Sequence, residues 1–166
     1  MELQSIIIGV LCLAVFIVPI FLLQKRQNGK SLQDYSDMAA KQGLSILKNE
    51  FWDPCYALGV DPDKKMLFYT KKHEEGYDQV LIDLSQVEKC TVSNISREVK
   101  GDKVIDNVGL LLTYRLGLKL SPTYLEFYNK EETLNLNEEL LLAKKWEAII
   151  GSFLAVPSRA MALETR

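Results

Sequence analysis

The sequence predicts a mainly β chain of the α+β class. It is expected to be a curled antiparallel sheet of about six to seven strands, capped by a C-terminal α-helix and preceded by a single N-terminal transmembrane helix. Three observations carry this expectation. Residues 6–23 hold no charged side chain; from about Ile46 apolar residues alternate in short runs between turn residues; and from Leu142 to Phe153 they recur at helical spacing.

The uncharged run Ile6 to Leu23, with Ser5 added, is long enough at about 1.5 Å per residue to cross the ~30 Å hydrocarbon core of a bilayer. A cleaved signal peptide would need a basic start, a shorter apolar core and small residues at its end. Here Met1-Glu2-Leu3-Gln4 has no Lys or Arg, and the run ends in Phe21-Leu22-Leu23. Bulky Leu11 argues against lipid attachment at Cys12. Residues 5–23 are therefore read as a retained anchor. Lys25, Arg26 and Lys30 follow it, while Glu2 is the charged side chain before it, so the positive-inside rule puts the N-terminus outside and the C-terminal domain in the cytoplasm. In that topology the glycosylation tripeptide Asn94-Ile95-Ser96 goes unused.

Charge and cysteine content exclude several classes. Three of the 20 basic residues and one of the 22 acidic ones lie in residues 1–30, so the remainder carries 17 against 21 and is mildly acidic. A nucleic-acid binder would show the opposite balance. Of the three cysteines, Cys12 lies in the span, and Cys55 and Cys90 form no C-x-x-C pair; both read as free, buried thiols that pack as small hydrophobes.

Residues 24–44 read as a linker and a short amphipathic helix. Ser31 serves as N-cap with Asp34 in the capping-box position, Leu32, Tyr35, Met38 and Ala39 share one face, and Gly43 ends the helix. Residues 45–154 form the domain. Cys55 to Val60 is a strand stopped at Asp61-Pro62-Asp63-Lys64, where Pro62 fixes φ and the Asp61 side chain can bond the backbone beyond it. Met66 to Thr70 returns as its partner, and Lys71 to Gly76 reads as a loop before Val80 to Leu84. Val87 to Ser93 is a longer strand, Arg97 to Lys103 a hairpin loop, and the strongly apolar Val104 to Leu116 the central strand. Ser121-Pro122 breaks the pattern, Tyr124 to Tyr128 alternates, Asn129 to Glu132 turns the chain, and Thr133-Leu134 adds a short last strand. The final helix is expected to start at Asn137 as N-cap, with Leu136 and Leu141 as a hydrophobic staple. Its apolar stripe is Leu142, Trp146, Ile149, Ile150 and Phe153, with Lys144, Lys145 and Glu147 facing away. Pro157 stops it, and residues 155–166 form a flexible tail.

A meander of this kind buries its apolar face only by curling, with the helix plugging the open end, which is the shape of a PH-like barrel. Leu125-Glu126-Phe127-Tyr128, Glu131, Glu132, Leu134, Glu139 and Ala143-Lys144-Lys145-Trp146, with Tyr56 to Asp61 and Leu81 to Leu84, resemble a largely uncharacterised family of membrane-anchored bacterial proteins with PH-like domains. The resemblance spans roughly residues 45–154 and implies a PH-like fold. The phosphoinositide pattern of eukaryotic PH domains is not matched: Lys64 and Lys65 are flanked by Asp61 and Asp63, and its Arg is missing.

No motif points to catalysis, and no catalytic, metal-binding or cofactor-binding residue is assigned. His73, the one histidine, lies beside Glu74 and Glu75 and near Asp78 in what reads as a solvated charged loop. The expected function is a membrane-anchored, non-catalytic interaction module for a protein or peptide partner at the cytoplasmic membrane face, since PH-like barrels expose sheet edges and a groove beside the helix. The alternative is recognition of anionic lipid headgroups by Lys64, Lys65, Lys71 and Lys72. No cofactor and no nucleic acid are expected.

Overall fold

A computed structural model describes residues 31–116, 119–133 and 135–154, with the backbone alone for residues 115, 116 and 119. The expected span at residues 5–23 and the tail at 155–166 lie outside the described residues. Among the described residues no helix is long and apolar enough to cross a membrane. The chain divides into two compact units, Met1–Ser45 and Ile46–Arg166.

In the first unit residues 31–41 form a helix, α1. Tyr35 and Ala39, one turn apart, are its buried residues, Met38 is half-buried and Leu32 is exposed. Ser31 is already helical, so it is not the cap. Gly43 ends the helix at φ +71°, donating its N–H to the Ala40 carbonyl while Leu44 bonds back to Ala39, a closure that needs a left-handed residue.

Among the described residues the second unit is built from seven strands and one helix. The strands are β1 (Lys48–Trp52), β2 (Tyr56–Asp61), β3 (Met66–His73), β4 (Gly76–Asp83), β5 (Val87–Val99), β6 (Asp102–Leu116) and β7 (Lys119–Asn129); α2 spans Glu139–Gly151. All neighbours pair antiparallel, in one sheet ordered β1-β2-β3-β4 and another ordered β5-β6-β7. The strand count and terminal helix agree with the expected mainly β, α+β architecture. No hydrogen-bonded ladder closes the two sheets into a barrel among the described residues. Side chains join them instead: Leu58, Leu67 and Ile82 of the first sheet share one core with Leu110, Leu112, Leu125 and Phe127 of the second.

Local chemistry explains most boundaries. Asp61 Oδ1 accepts the Lys64 N–H at 3.0 Å, the bond expected for the β2–β3 turn. β6 is the middle strand of its sheet, as its apolar run implies. The segment 97–103 is not a loop: β5 runs to Val99 and β6 starts at Asp102, with Lys100 and Gly101 both at positive φ in a tight two-residue turn. Lys71, Lys72 and His73 are likewise strand residues of β3, and Glu74-Glu75 alone turns the chain into β4. Pro122 does not break β7, because β7 is an outer strand and the missing N–H is tolerated at an edge. Thr133 lies in no strand.

α2 packs on β5, β6 and β7 through Ala143, Trp146 and Ile150, all fully buried, while Leu142, Ile149 and Phe153 flank this stripe half-buried. Its N-cap is Glu138 rather than Asn137. No side chain caps it, and the Glu139 carboxylate instead reaches back to accept the Asn137 N–H at 2.6 Å. No staple forms, since Leu141 points into solvent. Glu147 does not face away: it accepts the Val92 N–H at 2.9 Å and pins α2 to β5.

Candidate functional site

Two side-chain clusters stand out in the second unit. The first bridges the two sheets around Glu126 of β7. Tyr56 donates its hydroxyl to Glu126 Oε1 at 2.9 Å, and Lys71 Nζ reaches the same oxygen at 2.5 Å. Asn107 and Asn129 donate to Glu126 Oε2 at 3.3 and 3.2 Å. Lys71 also pairs with Glu132 at 2.7 Å, and the Tyr69 hydroxyl and Trp52 indole N–H bond the Glu126 and Phe127 carbonyls. Trp52 stacks between Tyr56 and Phe127.

Burial alone would push the Glu126 carboxyl up, but the Lys71 and Tyr56 hydrogen bonds, then the Lys71 charge, outweigh it and hold the carboxyl below its ordinary value. Burial likewise opposes the Lys71 charge, yet its bonds to Glu126 and Glu132 raise its pKa. The Tyr56 hydroxyl is pushed up by burial and then by the Glu126 bond. Every group here is answered by a partner, so the cluster is a clasp between sheets. A bulge places it: Gly109 pairs with Glu126 while Val108 pairs with Tyr128, leaving Phe127 as the extra residue. Gly109 is required there, because a Cβ would meet the Leu125 carbonyl and the Tyr124 ring, whose hydroxyl bonds Asn107.

The second cluster is an open groove of about 480 Å³ between β1 and the first turns of α2. Phe51 and Trp52 line one side and Leu141 and Leu142 the other. Phe51 is 36% and Leu141 67% exposed, two of several large apolar side chains left exposed among the described residues, and both line this depression. Glu50 and Lys145 form an ion pair across it. Asp53, at φ +45° in the turn after β1, accepts the Thr133 hydroxyl at 2.7 Å. β1 is one of the two outer strands of its sheet.

The four sequence-selected lysines do not form one patch. Lys64 and Lys65 lie in the β2–β3 turn, at the opposite end of β3 from Lys71 and Lys72, roughly 20 Å away at the ~3.3 Å rise of a strand. Lys71 is engaged in the clasp, and the Lys72 ammonium sits 5.9 Å above the Tyr77 ring. His73 pairs with Asp78 at 2.8 Å on the exposed β3–β4 hairpin. Among the described residues no group of three or more His, Cys, Asp or Glu is placed to hold a metal ion. Cys55 is half-buried and Cys90 buried, neither in a disulfide; burial, then Glu147, pushes the Cys90 thiol up to about 12, far from a reactive thiolate.

Sequence reasoning missed the clasp, because Glu126 alternates with buried Leu125 and Phe127 and so reads as a solvent-facing carboxylate. The groove had one usable signal, a leucine at 141 on a helix whose buried stripe lies elsewhere. Comparison with protein-family models, curated proteins and solved structures found no match.

Proposed function

We propose that this chain is a membrane-anchored, non-catalytic interaction module whose PH-like domain receives a segment of a partner protein in the groove between β1 and α2. The observation that carries the reading is the pair Phe51 and Leu141, exposed on opposite walls of a concave site beside an outer strand. The four-plus-three strand order with a C-terminal helix supports the PH-like description. The anchor rests on the uncharged run 6–23 and the basic residues after it, which favour a cytoplasmic domain. Tethering confines the groove to a thin layer at the membrane, where even a weak site meets its partner often. Headgroup recognition by Lys64, Lys65, Lys71 and Lys72 is disfavoured, because Lys71 is neutralised by two carboxylates and the other lysines are spread over both ends of β3.

Position-specific photocrosslinking in native membranes tests the proposal. A photoreactive residue at Leu141 should yield a discrete protein adduct that the same probe at Lys64 does not. Adducts only to lipid, or identical products from both positions, would refute it.

A further inference from the structure

The groove's charge specifies what fits it. Among the described residues Glu50, Asp53, Glu138 and Glu139 line it, against Lys145 as the one base. Lys145 answers Glu50. Asp53 and Glu139 are bonded by a neutral hydroxyl and a neutral backbone N–H, which satisfy an oxygen without cancelling the charge. Glu138 is exposed at the start of α2. Among the described residues the depression therefore combines apolar walls with more carboxylates than bases, partly offset by the positive end of the α2 dipole on which Glu138 and Glu139 sit. An apolar-only occupant would leave those carboxylates facing it, and an acidic one would be repelled.

Resting on the groove reading above, we propose that the occupant is an extended partner segment that lies in the groove between β1 and α2 and carries an apolar side chain with Lys or Arg two positions away. In an extended chain residues two apart point to the same side, so one residue packs on Leu141 and Leu142 while its neighbour meets Asp53 and Glu138. The Lys145–Glu50 pair shows that an ammonium on one wall is stable against a carboxylate on the other.

The test uses the full chain and a fluorescein-labelled peptide, Ser-Gly-Lys-Ser-Leu-Ser-Lys-Gly-Ser, read by fluorescence anisotropy. Twins replace both lysines by glutamine or by glutamate. The lysine peptide should bind about tenfold more tightly than the glutamine twin, and the glutamate twin should bind weakest. Added salt should narrow the gap. Glu138→Lys should weaken the lysine peptide several-fold and spare the glutamine twin, whereas Leu141→Ser should weaken both. Equal binding of the lysine and glutamine peptides, with Leu141→Ser still damaging both, would overturn the cationic requirement and leave the interaction reading standing. Lysine-peptide binding that ignores both substitutions would be general charge attraction and would overturn the inference. Absence of binding by every peptide would also overturn it, while the photocrosslink at Leu141 decides the interaction reading independently.

Discussion

The clasp and the groove use the same materials, carboxylates, a lysine and aromatic rings including Trp52, to opposite ends. In the clasp, Lys71 and Glu126 are 13% and 18% exposed, and Glu126 takes hydrogen bonds from four side chains. Low exposure strengthens each bond, and the cluster uses its hydrogen-bonding capacity internally, with Lys71 shared between Glu126 and Glu132. In the groove, Glu50 and Lys145 are 33% and 48% exposed, and the remaining carboxylates meet neutral donors or solvent. Water screens that pair until an occupant displaces it. Where donors match acceptors the chain has built a joint, and where they do not it has left a surface.

The comparison is broken most severely by Trp146→Ala. The indole is fully buried on the inner face of α2, whose outer residues form one groove wall, so truncation should cost about 3–5 kcal/mol in denaturant unfolding. Groove binding should weaken with it, because Leu141 is carried on the same helix.

A smaller loss is expected from Glu126→Gln, about 2 kcal/mol, since the charge-assisted bond to Lys71 is lost while the amide still accepts from Tyr56. This variant also changes the pH profile. The folded-state pKa of Glu126 is depressed, so its contribution is present above the ordinary value of 4.5 and is lost as pH falls below it. Lys71 has the opposite sign: its pKa is raised, and its contribution is present below 10.5 and lost as pH rises beyond that value. Thermal melts from pH 7 to pH 3 should therefore lose less stability in Glu126→Gln than in the parent. Parallel curves would show that the clasp does not hold the sheets.

The smallest effect belongs to Lys145→Ala, which removes an exposed ion pair and should change stability by less than about 0.5 kcal/mol. By freeing Glu50 it should at the same time tighten binding of the lysine peptide. A destabilisation as large as that of Glu126→Gln would erase the distinction between joint and surface.

What the sequence by itself determined was whatever depends on near neighbours along the chain. The alternating runs locate most strands, the long apolar stretch identifies β6 as the middle of its sheet, Asp61 and Gly43 mark real turns, and helical spacing predicts the burial of Trp146. These follow from backbone geometry and side-chain periods that act within a few residues. β1 was not legible, because an outer strand buries little and Lys48-Asn49-Glu50-Phe51-Trp52 shows weak alternation. Tertiary structure alone decided that the strands separate into two sheets, that Pro122 is harmless at an edge, and that the bulge at Phe127 brings Glu126 to Lys71, 55 residues earlier. It alone set Glu50 against Lys145 across 95 residues and so opened the groove. Such contacts depend on how whole sheets and helices pack against one another, a balance of burial and hydrogen-bond satisfaction over the entire core that no local pattern encodes.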